Sequence, residues 1–336
     1  MSYVIGVDAG GSKSFCLAAD MDGTIVGFGK AGPGSYEVVG LQTAKVNILK
    51  CVERALRQGG PEKSDVRHGV FALAGADFYP EDFEMLTEAM EDLHVARECT
   101  VKNDSIAGLR AGVTRPYGVC VIMGSGFNGA GIGLDGREVR YISEGFLYGD
   151  VGGGHTIARE VLHHAYRSWD GRGRKTVLEQ KVLEFFGYED LYELARYLYY
   201  NREPHQRIPG LCPICFEAAF DGDEVARELI VRFGREAGVS ANALIRKLDL
   251  CEEELEVVLA GSVFKGKGPL LIETVKQTIL PVAPKARVIT PRYEPVVGAL
   301  LLALDAAGVE ITGQIEARLD ATLPAECLRE RPPSAA

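Results

Sequence analysis

The sequence lacks a stretch that could span a membrane, and it lacks an excess of positive charge. Its longest apolar run, Val296 to Leu304, is too short to cross a bilayer. Asp8 interrupts the only apolar run near the N-terminus, which is not typical of a signal peptide. Acidic residues outnumber basic ones by 47 to 37, for a net charge of −10. We therefore expect neither nucleic acid nor a membrane as a partner.

Cysteine is sparse and irregularly spaced. Eight cysteines are scattered over 336 residues without the spacing of a disulfide framework, which favours a reducing cytoplasm. The single C-x-x-C motif, Cys212 to Cys215, has no second cysteine pair and no histidine pair at zinc spacing. A structural role is therefore favoured for this pair. The length exceeds what one compact core usually holds, which predicts two domains.

The most informative stretch is residues 3–14. A short β-branched run ends in Asp8 and continues into Gly10, Gly11, Ser12 and Lys13, which predicts a buried strand followed by a tight turn. The glycine pair lets the backbone turn with its N–H groups exposed, while a hydroxyl and a cation follow directly. Asp8 could hold a metal, so the stretch suits a phosphate and its Mg²⁺. A plain β-turn with a solvated lysine is the alternative.

The order of predicted elements recurs along the chain. Each half begins with three strands joined by an Asp-Gly hairpin turn, at residues 22–23 and 135–136, and continues as helix, strand, helix, strand, helix. A repeat of this length indicates a duplicated domain. We predict an N-terminal domain over 1–115, a C-terminal domain over 116–310 with a helical insertion at about 175–210, and a loose tail over 311–336. The two halves are expected to enclose a cleft faced by both glycine turns, residues 8–13 and 124–126.

Two glycine motifs imitate known nucleotide loops. Gly124 to Gly129 matches the dinucleotide fingerprint, but a strand rather than a helix is predicted to follow it. Gly261 to Gly268 is one residue short of a Walker A loop and has glycine where Ser or Thr should bind Mg²⁺. Both interpretations are disfavoured.

Two aspartates, one at the end of a predicted strand and one in a predicted loop, each have two possible roles. Asp104 could accept a proton from a substrate hydroxyl, but capping of the helix expected from Ser105 is favoured by spacing alone. Asp150 lies in a glycine-dense loop before a helix. It could bind a ligand or metal, or only stabilise that loop.

Five motifs in this order resemble the BadF/BadG/BcrA/BcrD ATPase family, over roughly residues 3–308. They are the stretches 8–13, 103–104, 124–126, 149–150 and 260–265. The best-understood members of that family are N-acetylglucosamine kinases. The resemblance implies an α/β fold of duplicated actin-like ATPase domains, related to ribonuclease H, with an interdomain cleft.

The resemblance also implies roles for individual residues. ATP would be bound by the two glycine turns and by the loop after a strand of the second half, at Gly10, Gly11, Ser12, Lys13, Ser125, Gly126, Gly261, Ser262 and Lys265. Asp8 would organise Mg²⁺, and Asp104 would be the catalytic base, which reverses the preference for a cap. The substrate would meet Ser35, Asp104, Glu144 and Asp150. The chain departs from the family pattern at three positions in or beside this set: Ser35 replaces Asn, Glu144 replaces Trp, and Val151, directly after Asp150, replaces Glu.

These implications lead to one function and two alternatives. The expected function is transfer of a phosphoryl group from MgATP to a hydroxyl of an amino sugar or related sugar, by a cytoplasmic homodimer. The first alternative is an ATPase that energises or gates a partner protein. The second is a sensor without activity, against which the intact Asp8 and Asp104 argue. The iron–sulfur branch of the family is disfavoured because no cysteine stands in the second-half glycine loops.

Overall fold

We describe a computed structural model of the chain over residues 2–59, 61–201 and 203–328. Ten strands form two five-stranded sheets. The strands are β1 Tyr3–Ala9, β2 Ser14–Asp20, β3 Ile25–Ala31, β4 Val66–Leu73, β5 Glu98–Asn103, β6 Gly118–Met123, β7 Phe127–Ile132, β8 Glu138–Arg140, β9 Glu256–Ala260 and β10 Arg287–Ile289.

The described residues contain twelve α-helices and five 3-10 helices. The α-helices are α1 Tyr36–Val39, α2 Leu41–Gly59, α3 Glu81–Glu91, α4 Asp104–Arg110, α5 Gly154–Trp169, α6 Leu178–Phe186, α7 Leu191–Tyr200, α8 Cys212–Phe220, α9 Glu224–Lys247, α10 Leu270–Ile279, α11 Pro295–Ala306 and α12 Gly313–Thr322. The 3-10 helices are Lys63–Asp65, Phe146–Tyr148, Glu203–Leu211, Ser262–Lys265 and Ala325–Cys327.

The two sheets have the same topology. The first has the order β3-β2-β1-β4-β5, and the second, read in the same sense, has the order β8-β7-β6-β9-β10. In the first sheet β1 pairs antiparallel with β2 and parallel with β4, and in the second β6 pairs parallel with β9. The predicted duplication is therefore confirmed at the level of strand order.

The chain divides into two compact units that differ from the predicted domains. The described residues of the first unit are 2–59, 61–118, 130–136 and 289–328, and those of the second are 119–129, 137–201 and 203–288. The prediction had assigned residues up to 310 to the second half. The chain instead returns to the first unit with α11, which packs against β1, α4 and β4.

The first sheet has an apolar layer on each face. Ile5 and Val7 of β1 belong to the cluster that includes Ile48 and Val52 of α2, whereas Val4 belongs to the cluster of α11. Successive side chains of a strand point to opposite faces, so β1 is buried on both. At Gly6 the α11 backbone comes so close that an added Cβ would lie 2.1 Å from the backbone nitrogen of Leu300. Only a residue without a side chain allows this approach.

The prediction of a loose tail from residue 311 is wrong for the described part of that segment. Helix α12 packs near β3, with Leu319 2% exposed, and Cys327 is fully buried. The Thr322 hydroxyl accepts a hydrogen bond from the Ile25 N–H at 2.9 Å, and the Glu294 N–H donates to the Cys327 carbonyl at 2.9 Å. The segment is therefore hydrogen-bonded both to the β2–β3 hairpin and to the residue before α11.

We predict that Thr322→Val lowers the free energy of unfolding by about 1 kcal/mol, because it leaves the buried Ile25 N–H without its acceptor. Urea unfolding measures the change. Thr322→Ser keeps the hydroxyl and should retain most of the stability. Equal stability of the Val variant and the wild type would show that this bond does not hold the segment.

Candidate active site

The turn between β1 and β2 is a fixed four-residue loop. The Gly10 N–H donates to the Lys13 carbonyl at 3.0 Å, directly after the last strand pair, Ala9 with Ser14. The Gly10 carbonyl in turn accepts the N–H groups of Gly34 at 3.0 Å and Ser35 at 3.2 Å. Gly11, Ser12 and Lys13 are exposed. The tip of the turn is therefore held by its neighbours and is open to a ligand, as a phosphate loop requires.

Asp8 and Lys13 lie on one face of the first sheet. Asp8 is directly opposite Phe15 in the β1–β2 ladder, and the Lys13 ammonium lies 4.3 Å from the centre of the Phe15 ring. Asp8 is half-buried at the end of its strand. Carboxylate oxygen is a hard donor that Mg²⁺ prefers, so Asp8 fits the role predicted for it.

Asp104 is not the cap of its helix. The cap is Asn103, whose side-chain oxygen accepts the Ser105 N–H at 3.0 Å, and Asp104 is the first residue of α4. The capping interpretation of Asp104 was therefore wrong by one residue. Asn103 is 2% exposed, whereas Asp104 is only half-buried. The buried amide fixes the backbone at the point where β5 becomes α4, and the next residue carries the carboxylate.

A hydrogen-bonded network surrounds Asn103 in the first unit. Its side-chain amide donates to Asp77 at 2.9 Å, and Asp82 accepts the N–H groups of Asp77 and Phe78. The Tyr36 hydroxyl donates to Asp82 at 2.9 Å. Burial and then this hydrogen bond raise the pKa of Tyr36 to about 12, which keeps the phenol protonated as the donor. Asp77 and Asp82 were not predicted, because no local motif in the sequence marks them.

The three remaining residues implied for the substrate differ in exposure. Ser35 is 2% exposed, Glu144 is exposed, and Asp150 is half-buried. Asp150 accepts the N–H of Gly145 at 2.8 Å. Its carboxylate is thereby oriented, and both alternatives given for it, a ligand contact and a loop contact, are compatible with this geometry.

In the second unit, the turn at Gly124 lies on the N-terminus of α5. The Gly124 carbonyl accepts the Gly154 N–H at 2.7 Å, and the Ser125 carbonyl accepts the His155 N–H at 3.0 Å. These bonds satisfy two of the donors that a helix leaves unpaired at its start. Strand β7 follows the turn, so the rejection of the dinucleotide fingerprint is confirmed.

The loop after β9 lies beside this turn. Because β9 is parallel to β6, with Ala260 opposite Ile122, both strands end at the same edge of the second sheet. A Cβ at Gly261, whose φ is +100°, would lie 2.3 Å from the Met123 carbonyl oxygen. A 3-10 helix, Ser262–Lys265, comes next, and α10 begins only at Leu270. The Walker A interpretation is excluded by this geometry, which lacks the direct loop-to-helix transition.

A cavity of about 460 Å³ opens where these two loops meet. Three residues predicted to bind ATP line it: Ser125, Ser262 and Lys265. Its other walls were not predicted and come from the turns before α5, α8 and α10, at Gly124, Gly154, His155, Pro209, Gly210, Cys212, Pro213, Phe216, Val263, Gly266 and Lys267. Apolar walls with a few polar groups and this volume are typical of a small-molecule site.

Cys212 of the C-x-x-C motif lines this cavity, and both cysteines of the motif are protonated thiols. Cys212 is 8% exposed and Cys215 is fully buried. Burial raises the pKa of the Cys212 thiol to about 11, and it raises the pKa of Cys215 further. Both thiols are therefore protonated near neutral pH and are poor metal ligands and nucleophiles. This agrees with the structural role favoured for the pair.

Within the described residues, no helix combines the length and apolar character needed to cross a membrane.

The duplicated sheet defines the class of protein. Two α/β units with the same strand order are the arrangement of the actin-like ATPases, and this confirms the predicted fold class. A solved glucokinase of the ROK family from Streptomyces griseus, in complex with glucose and AMPPNP, shares the fold with a TM-score of 0.55 and 18% identity. The comparison covers 90% of this chain and 100% of that chain.

Sequence comparison narrows the class to a family. A model of the BadF/BadG/BcrA/BcrD ATPase family matches residues 5–303, and the chain belongs to that family. It is 27% identical over 303 residues to the N-acetylmuramic acid/N-acetylglucosamine kinase of Clostridium acetobutylicum, covering 90% of this chain and 98% of that protein. It is 28% identical over 311 residues to the N-acetyl-D-glucosamine kinase of Dictyostelium discoideum, covering 90% and 97%.

Proposed function

We propose that the protein is a kinase that transfers the γ-phosphoryl group of ATP to a hydroxyl of an amino sugar or related sugar, with Asp104 as the general base. The observation that carries this proposal is the position of Asp104. Asn103 supplies the cap of α4, and Asp104 follows it as the first residue of the helix, directly after the end of β5. A half-buried carboxylate at the end of a strand suits proton abstraction. The named activities of the two curated relatives support a sugar as the acceptor.

The reaction follows from these groups. Asp104 takes the proton of the acceptor hydroxyl, and that oxygen forms a bond to the γ-phosphorus while the bond to the β,γ-bridging oxygen breaks. ADP and the sugar phosphate are the products. The exposed turn at Gly10 to Lys13 supplies backbone donors, the Ser12 hydroxyl and the Lys13 ammonium for the phosphoryl oxygens.

The metal has a candidate ligand in the strand that precedes this turn. Asp8 would hold Mg²⁺, which would supply positive charge to neutralise the phosphates. Asp8 is half-buried near the end of β1, and the Lys13 ammonium follows in the turn, over the Phe15 ring. We propose no other protein ligand.

The nucleoside end of ATP is assigned to the cavity of the second unit. Its volume of about 460 Å³ fits a purine nucleoside, and Phe216 and Pro213 offer apolar walls to the base. Ser125, Ser262 and Lys265 line the same cavity and would offer two hydroxyls and an ammonium group to the phosphates. Gly126 and Gly261 would admit the phosphates closely, since no side chain stands at these positions.

We predict that Lys265→Met raises the KM for ATP about tenfold, because a charge-assisted contact to phosphate contributes roughly 1–2 kcal/mol. Steady-state kinetics at saturating acceptor measure it. Lys276→Met removes an exposed lysine of α10 outside the cavity and should leave KM unchanged. An equal KM in both variants would remove Lys265 from the nucleotide site.

The function is tested by ATP consumption in the presence of amino sugars, N-acetyl sugars and neutral hexoses in turn. Stimulation by one of these classes, with a phosphorylated sugar as product, is expected. ATP hydrolysis that no sugar changes would contradict the kinase and favour an ATPase that acts on a partner protein. Asp104→Asn serves as the inactive control.

A further inference from the structure

The side-chain amide of Asn103 has every hydrogen-bonding position occupied. Its two N–H groups donate to the Ala76 carbonyl at 3.2 Å and to the Asp77 carboxylate at 2.9 Å. Its oxygen accepts the backbone N–H of Ser105 at 3.0 Å and the hydroxyl of the same residue. A primary amide has two donors and one oxygen with two lone pairs, so these partners allow only one orientation of the buried group. The backbone around Asp104 is therefore fixed through the side chain that precedes it.

Two of these partners belong to the segment that follows β4. Strand β4 lies between β1 and β5 in the first sheet, and Leu73 at its end is opposite Asn103. One residue further on, the Ala74 N–H donates to the Ala9 carbonyl of β1 at 3.0 Å. We call residues 74–78 the bridging segment, because it hydrogen-bonds to the ends of both neighbouring strands.

The bridging segment is itself held by Asp82, in the first turn of α3. One oxygen of this carboxylate accepts the N–H groups of Asp77 at 3.2 Å and Phe78 at 2.7 Å. The other oxygen accepts the Tyr36 hydroxyl at 2.9 Å. The Tyr36 ring lies against Gly75, whose φ is +93° and where an added Cβ would be 2.8 Å from the ring. The Asp77 carboxylate is therefore presented by a loop whose backbone is held in place.

We propose that Asp77 is a positioning residue for the general base, acting through Asn103 on the place of the Asp104 carboxylate. This inference rests on the proposed kinase function, in which Asp104 takes the proton of the acceptor hydroxyl. The base must lie within hydrogen-bond reach of that hydroxyl while the hydroxyl oxygen faces the γ-phosphorus. A displacement of about 1 Å can lower the rate of such a step about 100-fold. A base on the first residue of a helix takes its place from the backbone, which the Asn103 amide fixes.

The bridging segment also sets the distance between two parts of the site. The phosphate turn follows β1 and the base follows β5, and β4 lies between these strands. At about 4.8 Å per strand, the ends of β1 and β5 are roughly 10 Å apart. In the proposed reaction the turn holds the phosphates while Asp104 takes the proton, so the spacing of the two strand ends matters. The hydrogen bonds of the bridging segment to both strand ends fix this spacing.

The test measures kcat, KM for the acceptor and KM for ATP in Asp77→Ala and Asp77→Asn. Asp77→Ala leaves one N–H of the buried Asn103 amide without its acceptor, so we expect kcat to fall about tenfold or more. Both KM values should stay unchanged, because a positioning residue does not touch the substrates. Asp77→Asn keeps an oxygen that can accept this N–H and should retain most of the turnover. An equal loss in both variants would assign the effect to the charge of Asp77 and reject positioning through this hydrogen bond.

Asp20→Ala is the matched control. Asp20 is also a half-buried aspartate of the first unit, and it accepts the N–H groups of Asp22 at 3.0 Å and Thr24 at 2.9 Å. It lies opposite Tyr3 at the start of β1, at the other end of this strand from the phosphate turn. Both alanine variants should lose some thermal stability, but only Asp77→Ala should lose turnover. Asn103→Ala cannot serve here, because it also removes the cap of α4.

A double-variant cycle shows whether Asp77 acts through the base. Introduced into the Asp104→Asn protein, Asp77→Ala should lower the residual turnover by less than about twofold, because the group that it positions is already absent. A general loss of structure would instead lower kcat by the same factor in both backgrounds.

Tyr36→Phe is a milder variant for the case that Asp77→Ala does not fold. It keeps the ring against Gly75 and removes only the hydroxyl that donates to Asp82. We expect a smaller fall in kcat, of about threefold, because Asp82 keeps its two backbone donors.

Further outcomes would overturn the inference or its basis. A wild-type kcat in Asp77→Ala, or in Tyr36→Phe if Asp77→Ala does not fold, rejects it. A raised acceptor KM at normal kcat also rejects it and would make Asp77 a contact of the sugar. An equal loss of kcat in Asp20→Ala, or in the Asp104→Asn background, would show a general effect on stability. A wild-type protein that phosphorylates no sugar rejects the proposed function itself, whereas the other outcomes leave that function intact.

Discussion

Asp104→Asn is expected to lower the turnover of sugar phosphorylation by about 100-fold or more, with an almost unchanged unfolding temperature. The amide has nearly the same shape as the carboxylate but cannot accept the hydroxyl proton. The helix should tolerate the change because its cap is the neighbouring residue, Asn103. Initial rates with saturating ATP and acceptor, together with thermal unfolding, measure both effects.

The neighbouring residue provides the matched control. Asn103→Ala removes the acceptor of the Ser105 N–H and the donor to the Asp77 carboxylate. We expect it to lower the free energy of unfolding by about 1–2 kcal/mol, the usual loss for a cap. The two variants should thus separate a catalytic carboxylate from a structural amide. A normal turnover in Asp104→Asn, with a sugar that the wild type accepts, would reject the base.

Gly6→Ala is expected to lower the free energy of unfolding by about 3 kcal/mol or more. The added Cβ would lie 2.1 Å from the Leu300 nitrogen and 2.5 Å from the Ala299 carbonyl carbon, and both atoms belong to the backbone of α11. A rigid helix cannot move away from one methyl group without losing the other contacts it makes with β1, so the cost exceeds that of an ordinary core substitution. Urea unfolding of the purified variant measures it.

Gly313→Ala is the control for this prediction. Gly313 is the first residue of α12, and a Cβ there would meet no atom within 4 Å. Alanine favours a helix over glycine by up to about 1 kcal/mol, so this variant should equal or exceed the wild type in stability. A Gly6→Ala protein as stable as Gly313→Ala would mean that α11 does not pack as closely on β1 as described.

The three positions implied for the sugar by the resemblance alone illustrate a limit of resemblance. Sequence position alone makes Ser35, Glu144 and Asp150 equal candidates. Burial separates them, since Ser35 is almost completely enclosed and Glu144 is exposed. The Asp150 carboxylate is oriented by a backbone donor, the Gly145 N–H. We therefore regard Asp150 as the strongest of these candidates for the acceptor.

The cap of α4 shows how a local pattern can mislead by one residue. Asn and Asp are both favoured caps, and they are adjacent at 103 and 104. The choice between them depends on which side chain is buried. Asn103 is drawn inward by the Ala76 carbonyl and the Asp77 carboxylate, which belong to a distant loop. No local signal in the sequence carries this information.

The prediction of a loose C-terminal segment was wrong for a related reason. Its composition is polar, with few apolar residues in each turn, and isolated short helices of this kind are marginal in water. Ile315 and Leu319, however, are four residues apart and therefore share one face. A Cβ at Gly23 would lie 2.6 Å from the Ile315 side chain, so this face rests against the β2–β3 hairpin. Tertiary burial, rather than helix propensity, holds α12.

The sequence by itself determined the strands, the two glycine turns and the duplication, because alternation, turn chemistry and apolar runs are local properties of the backbone. It also placed Asp8 and Asp104 at strand ends. The tertiary structure decided that Asn103 rather than Asp104 caps α4. It also decided where α11 and α12 pack and which turns line the 460 Å³ cavity. These features depend on segments far apart in the chain, and such contacts are selected by burial and close packing that no single stretch encodes.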